Sequence, residues 1–263
     1  MSPDEGAIRW DRDEFVGTAL IDRPGRRNAL NAFLCDELRR LLGENDDLRA
    51  VVIGGTGDRA FCSGADLAQR ASDTSGLSHG GGDTFRPAFD MLLRDIVAFP
   101  APVIAAVNGA ALGAGMQLAV ACDLRVVAPN ASFGIPAGRL GVLLSAINVE
   151  RLVRVVGPAM ARDVLLTARV LDVDEAAGVG LVQREGEDAV GIAKALAQEI
   201  AILAPLSVGG HKRILNRVDA TSTFSEDALR AMAELEHSAF ASYDLREGLA
   251  AFSEKRPPRF TGT

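Results

Sequence analysis

The chain has 263 residues, of which 48% are apolar and 5% aromatic, and its formal net charge is −7. This length is enough to bury one main core, which aliphatic side chains and alanine must fill because aromatic residues are few. The negative charge argues against a non-specific grip on nucleic acid, although local arginines can still hold phosphates. The acidic N-terminus lacks the apolar segment of a signal peptide, so a cytoplasmic location is expected.

The N-terminal third predicts strands joined by helices. Residues 15–21 are rich in apolar and β-branched types and predict a strand, with which residues 8–10 can pair. Asn31 is expected to cap the helix that follows. Residues 71–84 are polar and glycine-rich and predict a loop, and residues 84–99 resume a helical apolar stripe.

The uncharged stretch between Asp95 and Asp123 is long enough to suggest a membrane span. Prolines at its start, Asn108-Gly109 in the middle and Gln117 near its end argue against that interpretation. Residues 103–107 predict a short buried strand, and the glycines at 113 and 115 predict a tight turn into a buried helix.

A second junction of the same kind lies earlier in the chain, where the strand 51–53 leads into the small-residue loop 60–67. Each junction can offer a backbone N–H to one oxygen, and paired N–H donors are what a thioester carbonyl needs as it becomes an enolate. Neither loop has the pattern of a dinucleotide or nucleotide phosphate loop. The alternative is that these glycines only permit tight packing.

Strand, helix and strand alternate through residue 183, which favours βαβ units and a largely parallel sheet. Residues 124–128 predict a strand, and residues 149–156 a helix that stops at Gly157-Pro158. Residues 159–166 predict a further helix and residues 181–183 a short strand, and Asp172 is expected to cap a helix. Beyond residue 188 the pattern predicts four helices, over 189–203, 206–216, 224–241 and 245–252. We therefore expect a core over 1–187 and a helical region over 188–263.

Several segments, in one order along nearly the whole chain, resemble the crotonase superfamily, which is the enoyl-CoA hydratase/isomerase family. The segments are Asp22-Arg23-Pro24 with Asn28 to Asn31, Phe61 to Leu67, Pro102 to Ala119, Cys122 to Arg125, Ser132 to Gly134 and Glu254 to Arg256. The resemblance implies an α/β fold, a crotonase-like ββα spiral core with a C-terminal helical trimerisation region. It also implies a homotrimer or hexamer that binds an acyl-CoA thioester.

The resemblance assigns roles to particular residues. The backbone N–H groups of Ala65 and Ala114 would form the oxyanion hole. The CoA contacts would come from Arg26, Arg27, Asp66, Leu67, Phe252 and Lys255. Coenzyme A would be part of the ligand, with no permanently bound cofactor, and no segment has the ligand spacing of a zinc or calcium site.

The catalytic pattern of the family is broken at both acids. Its hydratases use two glutamates to position water and to move protons, and their positions hold Gln117 and Ala137 here. An amide can orient water but has no useful proton affinity. Some isomerases place an aspartate eight residues after the second glutamate, and that position is Ser145. Glu150 is interpreted as a charged residue near the start of a helix, where a negative charge is favourable.

Two functions remain open from the sequence. The first is a protein that binds an acyl-CoA ester without hydrating it, as in a mycobacterial subgroup lacking both glutamates, with a fatty-acid synthesis enzyme as a possible partner. The second is an active hydratase or isomerase with displaced acid/base groups. Cys62, beside the glycine loop, could be a nucleophile, but packing is the better interpretation because no histidine or asparagine pattern supports catalysis.

Overall fold

The computed structural model describes residues 6–67, 83–220, 230, 233–234, 237, 240–256 and 258–259. Its larger sheet has six strands in the order β1-β2-β3-β5-β7-β10, parallel except for the β1–β2 pair. These strands are β1 Ala7–Asp13, β2 Val16–Asp22, β3 Ala50–Gly55, β5 Val103–Val107, β7 Leu124–Val127 and β10 Arg184–Glu185. A parallel sheet of this kind is what the alternating pattern predicts.

A second sheet has four strands in the order β4-β6-β8-β9. These are β4 Ala60–Cys62, β6 Ala110–Leu112, β8 Ser132–Gly134 and β9 Val170–Leu171. The helices are α1 Ala32–Gly43, α2 Phe85–Ala98, α3 Ala114–Ala121, α4 Ala146–Thr167, α5 Val173–Gly178, α6 Ala189–Ala201, α7 Pro205–Ala220 and α8 Tyr243–Glu254. Two 3-10 helices cover Pro24–Arg26 and Ala137–Arg139.

Three successive ββα units build the core, namely β3-β4-α2, β5-β6-α3 and β7-β8-α4. In each unit the first strand joins the six-stranded sheet and the second joins the four-stranded sheet. The chain therefore advances as a spiral, and each turn of the spiral places one strand-to-helix junction at the same end of the molecule.

The strand β3 shows why the central strands are apolar without alternation. Val51 and Ile53 pack in the main core with α1 and α2, while Val52 faces the opposite side and packs with α6 residues such as Ala193 and Leu196. Both faces of the sheet are buried, so every side chain of the strand must be apolar. The helix α6 therefore packs directly on the core.

Two helix caps match the prediction. The Asn31 side chain accepts a hydrogen bond from the Leu34 N–H at 2.9 Å and caps α1. Asp172 forms a reciprocal capping box with Glu175 at the start of α5. These interactions fix where each helix begins.

Two boundaries differ from the prediction. The last strand is Arg184–Glu185 instead of 181–183, because the Gln183 side chain already accepts from the Arg125 N–H and the ladder starts after it. The helix predicted over 149–156 begins at Ala146. The break predicted at Gly157 is a kink, with a φ of 78° at that residue, and the helix predicted over 159–166 follows it. Pro158 then starts the second helical part, a position that proline tolerates.

The C-terminal end is held by a bidentate ion pair. Arg256 donates to the two carboxylate oxygens of Glu247 at 2.6 and 3.0 Å, and the Arg259 N–H adds a bond at 2.7 Å. These hydrogen bonds lower the pKa of the Glu247 carboxyl group to about 2, and those from Arg256 have the largest effect. Arg256 and Arg259 are therefore both tied to α8 through Glu247.

Most of the loop predicted over 71–84 and of the helix predicted over 224–241 lies outside the described residues. Within the described part of the chain, no single helix is long and apolar enough to cross a membrane. Helix α6 and residues 205–216 reach the length and composition of a membrane span only when they are taken together, and the angle between the two helices is 111°.

Candidate functional site

Two glycine turns from different parts of the chain lie against each other. Gly64 follows β4 and has φ 119°, and Gly113 follows β6 and has φ 56°, both in the region that favours glycine. A Cβ atom added to Gly113 would lie 3.7 Å from the Gly64 Cα atom. The parallel pairing of β4 with β6 brings these turns together across 49 residues of sequence.

Gly115 is present for packing. A Cβ atom at this position would lie 1.9 Å from the carbonyl oxygen of Cys62, so the first turn of α3 rests directly on the backbone after β4. Gly115 permits the close approach, and Gly64 and Gly113 shape the turns.

The two turns leave a pair of backbone donors beside one cavity. Leu30 donates its N–H to the Gly64 carbonyl at 2.8 Å, and its own carbonyl accepts from the Asp66 N–H at 2.7 Å. Ala65 lies between these bonds and Ala114 is the first residue of α3. Within the described residues neither the Ala65 nor the Ala114 N–H has an acceptor, and both residues line the cavity.

The cavity has a volume of about 130 Å³ and mostly apolar walls. Its apolar lining includes Phe85, Phe89, Ile135, Leu140, Val142 and Leu144. Its polar side chains are Ser63, Arg86, Asp90, Gln117, Ser145 and Asn148. A largely apolar cavity with a few polar groups suits an acyl chain with one polar end.

The structure brings five of the ten predicted site residues to this cavity, namely Ala65, Leu67, Ala114, Gln117 and Ala137. Ser145, at the position of the isomerase aspartate, lines it as well. The Gln117 amide donates from Nε2 to the Gly113 carbonyl at 3.3 Å. Ala137 begins the 3-10 helix after β8 and presents a methyl group. From the sequence, these five positions were expected to lie together as one set because of the resemblance to the family.

Arg26 and Arg27 lie beside the glycine turn and are exposed. Ser63 ties the two loops, because its N–H donates to the Arg27 carbonyl at 3.1 Å and its hydroxyl to the Arg26 carbonyl at 3.3 Å. Neither arginine lines the cavity.

The Asp66 side chain, which was predicted to contact CoA, interacts with Arg23 inside the protein. Its carboxylate is buried and pairs with Arg23, with Nη2 and Oδ2 2.7 Å apart. Asp66 does not line the cavity. The pair fixes the backbone that follows the Ala65 N–H.

Phe252 and Lys255 lie at the end of α8 and are exposed, away from the cavity. The helix itself packs on the segment after Ala137, since a Cβ atom on Gly248 would lie 2.4 Å from the Leu140 carbonyl oxygen. Within one chain, these two side chains do not meet the other site residues.

Asp90 is one of the cavity residues that the sequence analysis did not identify, together with Arg86 and Asn148. It lies on α2, and its carboxylate accepts from Asn148 Nδ2 at 3.1 Å and lies 4.0 Å from Arg86 Nε. Arg151 in turn donates from Nη1 to the side-chain oxygen Oδ1 of Asn148 at 2.8 Å. Asp90 sits next to the buried stripe of α2, and the sequence has no signal that this edge of the helix faces the cavity.

Cys62 is unsuited to nucleophilic attack. Its side chain is buried, and desolvation raises the pKa of the thiol to about 12, so the thiolate is scarce near neutral pH. The interpretation as a packing residue fits this environment. Among the residues that the structure describes, no group of three or more His, Cys, Asp and Glu side chains could hold a metal ion.

The Enoyl-CoA hydratase/isomerase family model matches residues 12–263, nearly the whole of the fold and all of the site. The chain belongs to the enoyl-CoA hydratase/isomerase family. Among curated relatives, the Mycobacterium tuberculosis protein named Probable enoyl-CoA hydratase echA6 is 41% identical over 255 residues, covering 95% of this chain and 97% of that protein. The predicted superfamily is confirmed.

Solved structures confirm the crotonase fold. An enoyl-CoA hydratase/isomerase from Pseudoalteromonas atlantica has a TM-score of 0.83 and 30% identity, covering 97% of this chain and 99% of that one. Methylmalonyl-CoA decarboxylase complexed with 2S-carboxypropyl CoA has a TM-score of 0.86 and 24% identity, and the match covers 97% of this chain and 98% of that one. This second likeness concerns the fold alone.

Proposed function

We propose that this protein binds an acyl-CoA thioester in the cavity beside Ala65 and Ala114 and does not hydrate it. The observation that carries the proposal is the combination of Gln117 and Ala137 in the cavity wall. Hydration needs groups that gain and lose protons at the substrate carbons, and neither an amide nor a methyl group can do so. Binding and polarisation of the carbonyl need neither acid.

The paired N–H donors support the binding half of the proposal. They come from two turns held by separate contacts, so they are positioned before any ligand arrives. In this proposal the thioester oxygen accepts from Ala65 and Ala114, and the acyl chain lies along the apolar wall. Replacing Ala114 by the glycine usual in the family would change neither donor, because the donor is backbone.

The CoA portion would lie outside the cavity. In this proposal Arg26 and Arg27 bind its phosphates, and Leu67 contacts its thiol end, while Asp66 acts by holding the loop through Arg23. Charge-assisted hydrogen bonds from arginine are well suited to phosphate. CoA is then part of the ligand, not a resident cofactor.

A homotrimer or hexamer is also part of the proposal, with the region 188–263 as its interface. Exposed apolar side chains in this region support it, and these are Ile202, Leu203, Leu206, Ile214 and Leu215. Phe252 and Lys255, exposed at the end of α8, would then reach a neighbouring subunit's CoA. We place the protein in cytoplasmic fatty-acid metabolism, with a fatty-acid synthesis enzyme as its partner.

Restoring the two acids tests the proposal. The double variant Gln117→Glu/Ala137→Glu should hydrate a short 2-enoyl-CoA, while the unmodified protein binds the same ligand without consuming it. Each single variant should remain at least about 100-fold slower than the double variant, since each acid contributes two or more orders of magnitude. Equal turnover by the unmodified protein would show that the missing glutamates are not what limits it.

An active hydratase or isomerase is the second candidate, and Asp90 is the observation that favours it. This carboxylate lines the same cavity, although Asn148 and Arg86 already engage it. If it is the base, then Asp90→Asn should abolish turnover of enoyl-CoA and leave binding intact. Turnover that persists in Asp90→Asn would remove this candidate acid.

A further inference from the structure

A second and larger space adjoins the acyl cavity. It is a groove with a volume of about 1070 Å³, and residues of α2 and α8 line it. Three residues, Arg86, Asp90 and Phe240, line both the cavity and the groove. The Arg86 guanidinium lies over the Phe240 ring, 4.6 Å from its centroid. Side chains alone therefore separate the two spaces at this point.

The charged side chains of the groove are mainly cationic, although the net charge of the whole chain is −7. The titratable residues in its described lining are Arg86, Arg94, Arg246, His237, Asp83 and Asp90. Both aspartates are already engaged. Asp83 accepts from the Arg86 backbone N–H at 3.4 Å, and Asp90 accepts from the Asn148 side chain at 3.1 Å. The groove therefore favours an anion.

Two of these cations lack a counter-charge. Arg94 on α2 and Arg246 on α8 are exposed, and among the residues that the structure describes no carboxylate pairs with either of them. Arg151, on α4, donates to the neutral Asn148 side chain. Burial lowers the pKa of Arg151, Asp90 opposes this shift and the nearby Arg94 adds to it. An anion in the groove would offset this repulsion between cations.

An acyl chain that extends past Phe240 and Arg86 enters this groove. A methyl group at the far end of the chain would then meet guanidinium groups, whereas a carboxylate would accept hydrogen bonds from them. We infer that the groove binds a carboxylate at the far end of the acyl chain, so that the ligand class is an ω-carboxyacyl-CoA. Arg94 and Arg246 determine this specificity. The inference rests on the proposed binding of acyl-CoA, and it adds the group at the end of the chain.

The test is a titration of the full-length protein with pairs of saturated acyl-CoAs of increasing chain length. One member of each pair ends in a methyl group and the other in a carboxylate. In the shortest pairs the methyl end should bind more tightly, because a carboxylate inside the apolar cavity is costly. At the length that reaches the groove, the carboxylate end should bind about 10-fold more tightly, and added salt should reduce this advantage.

Arg94→Gln/Arg246→Gln should reduce the ratio of the two affinities to about one, because it removes both unpaired cations of the groove. The methyl-terminated ligand is the internal reference, since it shows whether the cavity of the variant is intact. Arg162→Gln/Arg213→Gln is the matched control. It removes two exposed arginines of helices α4 and α7 that line neither the cavity nor the groove, and it should leave the ratio unchanged.

Three results would overturn the inference. They are the absence of a carboxylate advantage at every chain length, an advantage that survives in Arg94→Gln/Arg246→Gln, or an equal loss of the advantage in the control variant. Binding of the methyl-terminated ligands alone would remove the inference and leave the proposed function in place. Failure of every acyl-CoA to bind is a different result, and it would remove the proposed function itself.

Discussion

Ala114→Pro removes one proposed oxyanion donor with little change to the fold. Ala114 is the first residue of α3, where the N–H has no acceptor within the helix and where proline is well tolerated. A lost hydrogen bond between uncharged groups costs about 1–1.5 kcal/mol, which is about 5- to 12-fold in Kd. We therefore expect a thioester ligand to bind about 5- to 12-fold more weakly to this variant.

The assay is calorimetric titration with an acyl-CoA thioester and with the thioether of the same chain length, which lacks the carbonyl oxygen. Only the affinity for the thioester should fall. Ala32→Pro is the matched control, since Ala32 is the first residue of α1 and lies outside the cavity. The reasoning is wrong if Ala114→Pro leaves thioester affinity unchanged or weakens both ligands equally while the fold is intact.

Three further predictions concern stability and reactivity. Lys212→Met should lower the free energy of unfolding, measured in urea, by about 3 kcal/mol, because the buried Lys212 ammonium group bonds two carbonyls and a carboxylate. The control is Lys194→Met, which removes an exposed ion pair and should change the free energy of unfolding by less than about 0.5 kcal/mol. Stability should fall as the pH drops from about 4.5 towards about 2, and less so in Glu247→Gln. The folded-state pKa of Glu247 is depressed, so its contribution is present above the unfolded pKa and lost on protonation. Cys62 should resist iodoacetamide near neutral pH until the protein is denatured; rapid labelling of native protein would contradict its raised thiol pKa.

The fold could be predicted largely from the sequence, because its signals are local. Residues 103–107 read as a buried strand, and the structure assigns Val103–Val107. The turn at Gly113 requires a positive φ, and Asn31 and Asp172 carry side chains that cap helices. Such features need no knowledge of distant parts of the chain.

The site could be predicted only in part, because its remaining groups meet through tertiary packing. Asp90 and Asn148 are 58 residues apart, and nothing in either helix marks the pair before α2 and α4 pack together. The pairing of the Asp66 carboxylate with Arg23 was likewise not predictable, because these two residues meet only in the folded chain. The boundary at residues 181–183 shifted for a similar reason, since the Gln183 side chain takes the place of a ladder bond.

The central claim is that the cavity holds an acyl-CoA thioester without the means to hydrate it. The direct measurement follows binding and consumption of the enoyl group in one sample of purified protein, with 2-enoyl-CoAs of increasing chain length. The account predicts saturable binding of at least one ligand and no consumption of the enoyl group. Turnover at ordinary enzyme rates of about 1 per second or more, lost when the cavity is blocked, would contradict it.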